Sequence, residues 1–181
     1  KLRDHLAAVS AEDLAVSPED LWRLPRWARM GYQEVYTGPE MTVCIFLLQP
    51  GVSLPLHDHP GMHVFGRLLF GRARVRSFDP EETTSRSWGT AFRATLREEA
   101  DLGPSQAIMS LGPEEGNLHE ITALEGGCAF LDVLSPAYDA HEGRDCNFYQ
   151  QCEPDSGGSP GHCLLVPIPP PDMPMAGQPY R

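Results

Sequence analysis

The chain has 181 residues, enough for one domain with a full hydrophobic core and short for two. Lys and Arg number 14 against 25 Asp and Glu, and the net charge of −11 argues against a duplex nucleic-acid binder, which needs a cationic footprint, while mildly favouring cationic ligands. No segment offers the ~18 consecutive apolar residues of a membrane span and the start lacks a signal-peptide pattern, so no membrane association or export is expected.

Residues 1–30 read as short helices packed on the outside of the remaining chain. Leu2, Leu6, Val9 and Leu14 roughly follow a helical stripe, and Ser17-Pro18-Glu19-Asp20 supplies an N-cap, a first-turn proline and two first-turn acids. From Gly31 the pattern changes to short apolar or alternating runs cut by Gly and Pro: 42–48, 64–70, 73–78, 106–111, 118–124 and 129–134. Such repetition predicts an all-β antiparallel jelly-roll barrel, with residues 31–152 as its core. The polar stretch 79–104 reads as an exposed excursion between strands. Residues 153–181 read as a Pro/Gly-rich extension with one strand, Cys163–Ile168, returning to the sheet and a closing extended run, Pro169-Pro170-Pro171, along the surface. The whole of 1–181 is thus expected to form one domain. Five cysteines, Cys44, Cys128, Cys146, Cys152 and Cys163, form neither a Cys-x-x-Cys pair nor a dense framework, which fits a reducing, cytoplasmic setting.

The chemistry concentrates in Leu54-Pro55-Leu56-His57-Asp58-His59-Pro60-Gly61-Met62-His63. Two imidazoles at i and i+2 share one face of a strand. His119, in Asn117-Leu118-His119, lies in another extended segment that a returning strand can bring beside them. The three form a candidate metal site, for which zinc and iron are both acceptable on ligand chemistry alone. His63 shares strand parity with the pair, but the preceding glycine turns the backbone, so it is read as a pocket residue rather than a fourth ligand. Asp132 is a carboxylate within the apolar run Phe130–Leu134, and burying it unpaired is costly. It either pairs with a loop arginine such as Arg144 or serves as a pocket acid that orients a substrate amine or water.

Four words of the sequence, His57-Asp58-His59-Pro60-Gly61-Met62-His63, Asn117-Leu118-His119, Ala129 through Tyr138, and Gly143-Arg144-Asp145-Cys146, resemble in order and spacing the thiol dioxygenases that include cysteamine (2-aminoethanethiol) dioxygenase and the plant cysteine oxidases. The resemblance implies a cupin-type barrel in which His57, His59 and His119 bind Fe(II), with Asp132 and Tyr138 near the metal. It implies transfer of both atoms of O2 to the sulfur of cysteamine or of peptides with an N-terminal cysteine, giving a sulfinic acid. The protein is expected to be a cytoplasmic monomer without nucleic-acid or membrane partners. A cupin acting on free cysteine and a non-catalytic metal-binding cupin are the alternatives. Some animal members carry a cysteine–tyrosine crosslink, but here the residue two beyond Cys146 is Phe148, which has no phenol oxygen, so Cys146 is expected to be a buried structural thiol.

Overall fold

The computed structural model of the protein describes residues 1–81, 88–105, 108–152 and 161–178. Parts of the polar stretch 79–104, the first two residues of the run 106–111 and residues 153–160 and 179–181 of the C-terminal extension lie outside the described residues.

Among the described residues ten strands form one sheet: β1 (Met30–Thr37), β2 (Thr42–Leu48), β3 (Ser53–His57), β4 (His63–Pro80), β5 (Phe92–Leu102), β6 (Met109–Leu111), β7 (Leu118–Ser135), β8 (Phe148–Gln151), β9 (His162–Ile168) and β10 (Met175–Gln178). Their order is β10-β1-β2-β7-β3-β8-β9-β5-β4-β6, and pairing of β4 with β7 closes the sheet into a barrel. All pairs are antiparallel except β10 with β1.

The barrel is built on two 18-residue strands, β4 and β7. Each unites two of the runs that the sequence separates, 64–70 with 73–78 and 118–124 with 129–134. The punctuating glycines bend these strands instead of ending them. Gly71 has φ +79° and Gly127 φ +76°, and a Cβ on Gly71 would sit 2.0 Å from the Gly127 carbonyl oxygen. Both positions therefore need glycine, for the left-handed backbone and for the close approach. Below the bend β7 pairs with β3, and above it with β2.

Residues 42–48 and 129–134 are nearly continuously apolar because both of their faces are covered. Ile45, Leu47, Ala129, Leu131 and Val133 face outward onto Leu6, Val16 and Leu21 of the N-terminal segment. Of that segment only α1 (Leu2–Ala8) and the 3₁₀ turn Pro18–Trp22 are helical, and the latter begins with a capping box between Ser17 and Asp20. The alternate residues Phe46, Leu48 and Phe130 face into the barrel.

The polar stretch 79–104 corrects the expectation of an excursion, since Phe92–Leu102 is an 11-residue strand. Its charges are cross-strand partners: Arg74 with Asp101, Arg76 with Glu99, and Asp79 with Arg97. An outward face carrying paired charges has no apolar alternation to reveal it. The Pro169-Pro170-Pro171 run leads into β10, which adds a parallel strand beside β1 and buries Ala176.

Candidate metal centre and its cavity

His57 closes β3 and lies directly across from His119 on β7. His59 lies just beyond the end of β3, yet the alternation persists: both histidines turn inward while Asp58 between them turns the other way and is 2% exposed. That carboxylate holds the segment in place. It accepts hydrogen bonds from the Asn147 backbone N–H at 3.0 Å, Asn147 Nδ2 at 3.1 Å and the Tyr149 hydroxyl at 2.6 Å. Asn117 clamps His59 from the opposite side, accepting from its backbone N–H at 2.9 Å and donating to its carbonyl at 2.8 Å. A buried carboxylate and amide so fully bonded fix the backbone that carries both histidines.

The three imidazoles meet at their Nε2 atoms, 3.1 Å apart for His59 and His119 and 3.2 Å for His119 and His57. All three rings are buried. Ligands at right angles about an ion at about 2.1 Å are separated by roughly 3.0 Å, so the spacing suits three nitrogens on one side of a metal ion. The outer nitrogens support that use. His57 Nδ1 donates to the Pro55 carbonyl at 2.8 Å. His59 Nδ1 lies 2.6 Å from the Tyr138 hydroxyl, which itself donates to the Asp58 carbonyl at 2.7 Å. The two bonds are mutually consistent when His59 Nδ1 carries the proton, which leaves Nε2 with a free lone pair aimed at the centre. His119 Nδ1 has no hydrogen-bond partner among the described residues.

Burial pushes all three histidines below the ordinary value, and His59 and His119 well below it, where repulsion from neighbouring imidazoles adds to the effect. They are therefore neutral near pH 7. Three neutral nitrogens directed at one point without protons between them repel each other, and a cation at that point removes the repulsion. The cluster can thus hold a metal ion.

A cavity of about 380 Å³ opens against His57 and His59. Its walls are largely apolar, including Phe46, Leu54, Phe148, Met173 and Met175. Asp132 projects into it and is 4% exposed; among the described residues nothing donates a hydrogen bond to its carboxylate. Burial raises its pKa to about 7. The alternative of a pair with Arg144 is overturned, because Arg144 bonds the Ala137 carbonyl and lies beside Asp139. Tyr138 lines the same cavity and stacks on the His59 ring, with centroids 5.3 Å apart. Burial, with smaller contributions from its Cys146 and carboxylate neighbours, pushes its phenol up strongly, so it stays protonated.

Two expectations change here. His63 is exposed at the start of β4, because the turn at Pro60–Gly61, where Gly61 has φ +67°, breaks the parity and sends Met62 inward instead. Cys146 lines the cavity near Tyr138, with its thiol raised by burial to about 11. Phe148 stands beside the His57 ring at 6.3 Å between centroids. No arginine or lysine lines the cavity among the described residues. Arg67 bonds the Val9 carbonyl, Arg72 is exposed, and Arg74 and Arg76 pair on the outer face.

A family profile described as PCO_ADO matches residues 2–180. The chain belongs to the PCO_ADO family. It is 35% identical over 176 residues to the human protein named 2-aminoethanethiol dioxygenase, a match covering 85% of this chain and 65% of the relative. With Arabidopsis thaliana plant cysteine oxidase 2 it shares 32% over 153 residues, covering 82% of this chain and 55% of the relative. The chain thus spans less than two thirds of the length of these two PCO_ADO relatives. Among solved structures, an uncharacterised Klebsiella pneumoniae protein with a double-stranded β-helix domain aligns at a TM-score of 0.50 and 14% identity, over 73% of this chain and 93% of its own, which shows the shared barrel fold. No helix of the described residues is long and apolar enough to cross a membrane.

Proposed function

We propose that the protein is a non-haem iron(II) thiol dioxygenase that converts an aminothiol, cysteamine or a peptide with an N-terminal cysteine, to its sulfinic acid. The observation that carries this reading is the juxtaposition of a neutral three-histidine cluster with an unpaired buried carboxylate in a cavity free of cations among its described lining. His57, His59 and His119 would hold the iron through Nε2. Iron bound there would supply the redox chemistry by which both atoms of O2 end on sulfur, with no second reductant consumed.

The remaining work falls to the chain's own groups. Three neutral ligands add no negative charge to the centre, which suits a substrate that brings a thiolate of its own. Tyr138 fixes the tautomer and tilt of His59. The apolar walls exclude water and strengthen any charge interaction within. Asp132 receives the substrate ammonium, two carbons from the thiol in both substrate types, and so sets the direction in which sulfur presents itself. Free cysteine carries a carboxylate as well, which this lining repels. The catalytic constellation comes from one chain, so the reading takes the monomer as the working unit. All five cysteines are unpaired, which suits a reducing cytoplasm.

The test is anaerobic loading with one equivalent of Fe(II), followed by oxygen uptake and product mass with cysteamine. One O2 consumed per thiol, with a gain of two oxygen atoms, is expected. Tight binding of iron with no thiol oxidation would instead identify a non-catalytic metal-binding cupin.

A further inference from the structure

The cavity is larger than the smaller substrate requires. Cysteamine has four heavy atoms and needs roughly 120 Å³ even at the share of a liquid water for each. The cavity of about 380 Å³ lies in the range of sites that enclose larger ligands. Its polar groups are arranged along a line. Glu34 on β1 pairs in register with Cys44 on β2, and Cys44 pairs with Asp132 on β7. Residues directly opposite on neighbouring strands project to the same face, and strands are about 4.8 Å apart, so the Cα atoms of Glu34 and Asp132 are separated by roughly 10 Å along one row. All three side chains line the cavity. Asp132 sits at its buried end and Glu34, which is exposed, at its mouth. No cation pairs with Glu34 among the described residues.

Resting on the thiol dioxygenase reading, we propose that Glu34 is a specificity residue that selects peptides whose second residue, after the N-terminal cysteine, is Arg or Lys. With the sulfur at the histidine cluster and the terminal ammonium at Asp132, the next Cα lies 3.8 Å onward. The methylene stem of an arginine or lysine then runs over the apolar wall and carries its charge the remaining distance to Glu34. A neutral second residue leaves Glu34 solvated, and an acidic one meets repulsion. Because Glu34 faces water, the preference is modest and screened by salt.

The experiment compares kcat/KM on three otherwise identical peptides, Cys-Arg-Gly-Gly, Cys-Gln-Gly-Gly and Cys-Glu-Gly-Gly, with iron-loaded wild type, Glu34→Gln and Glu34→Arg. Wild type should prefer the arginine peptide over the glutamine peptide about three- to fivefold at low salt, the size expected of an exposed ion pair. The preference should shrink at high salt. It should fall towards one in Glu34→Gln and turn in favour of the glutamate peptide in Glu34→Arg, a reversal that misfolding cannot produce. Equal rates on all three peptides in wild type, or an arginine preference retained in Glu34→Arg, would overturn the assignment. Oxidation of cysteamine with none of any peptide would overturn it while leaving the aminothiol reading intact; oxidation of no thiol at all would remove both.

Discussion

Two acidic regions of this barrel are treated in opposite ways. On the outer face of β4, β5 and β7, the charges are matched: Arg74 bonds Asp101 at 2.7 Å, Arg76 bonds Glu120 at 2.7 Å and Arg97 bonds Asp79 at 2.9 Å. Inside the cavity Asp132 is far more buried than any of these carboxylates, yet no arginine reaches it among the described residues. Physical cost runs the other way, since an exposed carboxylate hardly needs a partner and a buried one does. On the proposed reading, the cavity's negative charge is kept for a cation that comes from outside: the paired carboxylates serve the architecture, and Asp132 is left for a ligand.

The contrast can be broken most severely at the histidines that give the cavity its purpose. His119→Ala should lose most of its iron and at least about a hundredfold in turnover, measured by metal content and oxygen uptake, whereas His63→Ala should keep both. Full iron and activity in His119→Ala would sink the three-histidine assignment.

Asp132→Asn sharpens the comparison next. It keeps size but removes the charge that faces the ammonium, so kcat/KM for cysteamine should fall by about 1.5–3 kcal/mol, roughly ten- to a hundredfold, with iron content unchanged. A wild-type rate would return Asp132 to a structural role.

A smaller effect is expected from pH. Because burial raises Asp132 to about 7, it is protonated below that value and charged above it. The apparent affinity for cysteamine should therefore rise several-fold from pH 6 to pH 8, while the thiol and amine of the substrate are followed separately. Stability moves the opposite way for this group: a raised carboxylate favours the folded state at low pH, and that contribution is lost as pH rises from the unfolded value near 3.8 through 7. A flat affinity profile, or one unchanged in Asp132→Asn, would contradict the assignment.

The smallest effect belongs to the outer ladder. Arg74→Ala should cost under about 1 kcal/mol in stability, read by denaturant unfolding, and leave KM for cysteamine untouched. A large loss of activity there would erase the distinction between the two regions.

The histidine cluster was legible because His57, His59 and His119 stand in short words, and the fold brings their Nε2 atoms together. The barrel was legible for a related reason, since runs such as Thr42–Leu48 coincide with β2 in the structure. What supports the ligands was harder to read. Asp58 and Asn117 lie inside the same words, yet their roles depend on Asn147, Tyr149 and the backbone of His59, and the spacing within a word says nothing of such partners. Tyr138 was placed near the metal by resemblance, and only the geometry attaches it to His59 Nδ1. β5 was missed because its outward charges are balanced by β4 rather than by an apolar face of its own. Likewise, Gly71 and Gly127 look like strand ends in one dimension and act as matched bends in three.

On the proposed reading, the cavity recognises a free amine beside the thiol. This is tested most directly by giving the iron-loaded protein, at equal concentration, a peptide with a free N-terminal cysteine, the same peptide acetylated at its N-terminus, and free cysteine, and weighing the products by mass spectrometry. A gain of two oxygen atoms chiefly on the free-amine peptide is the predicted result. Equal oxidation of the acetylated peptide, or oxidation mainly of free cysteine, would contradict it.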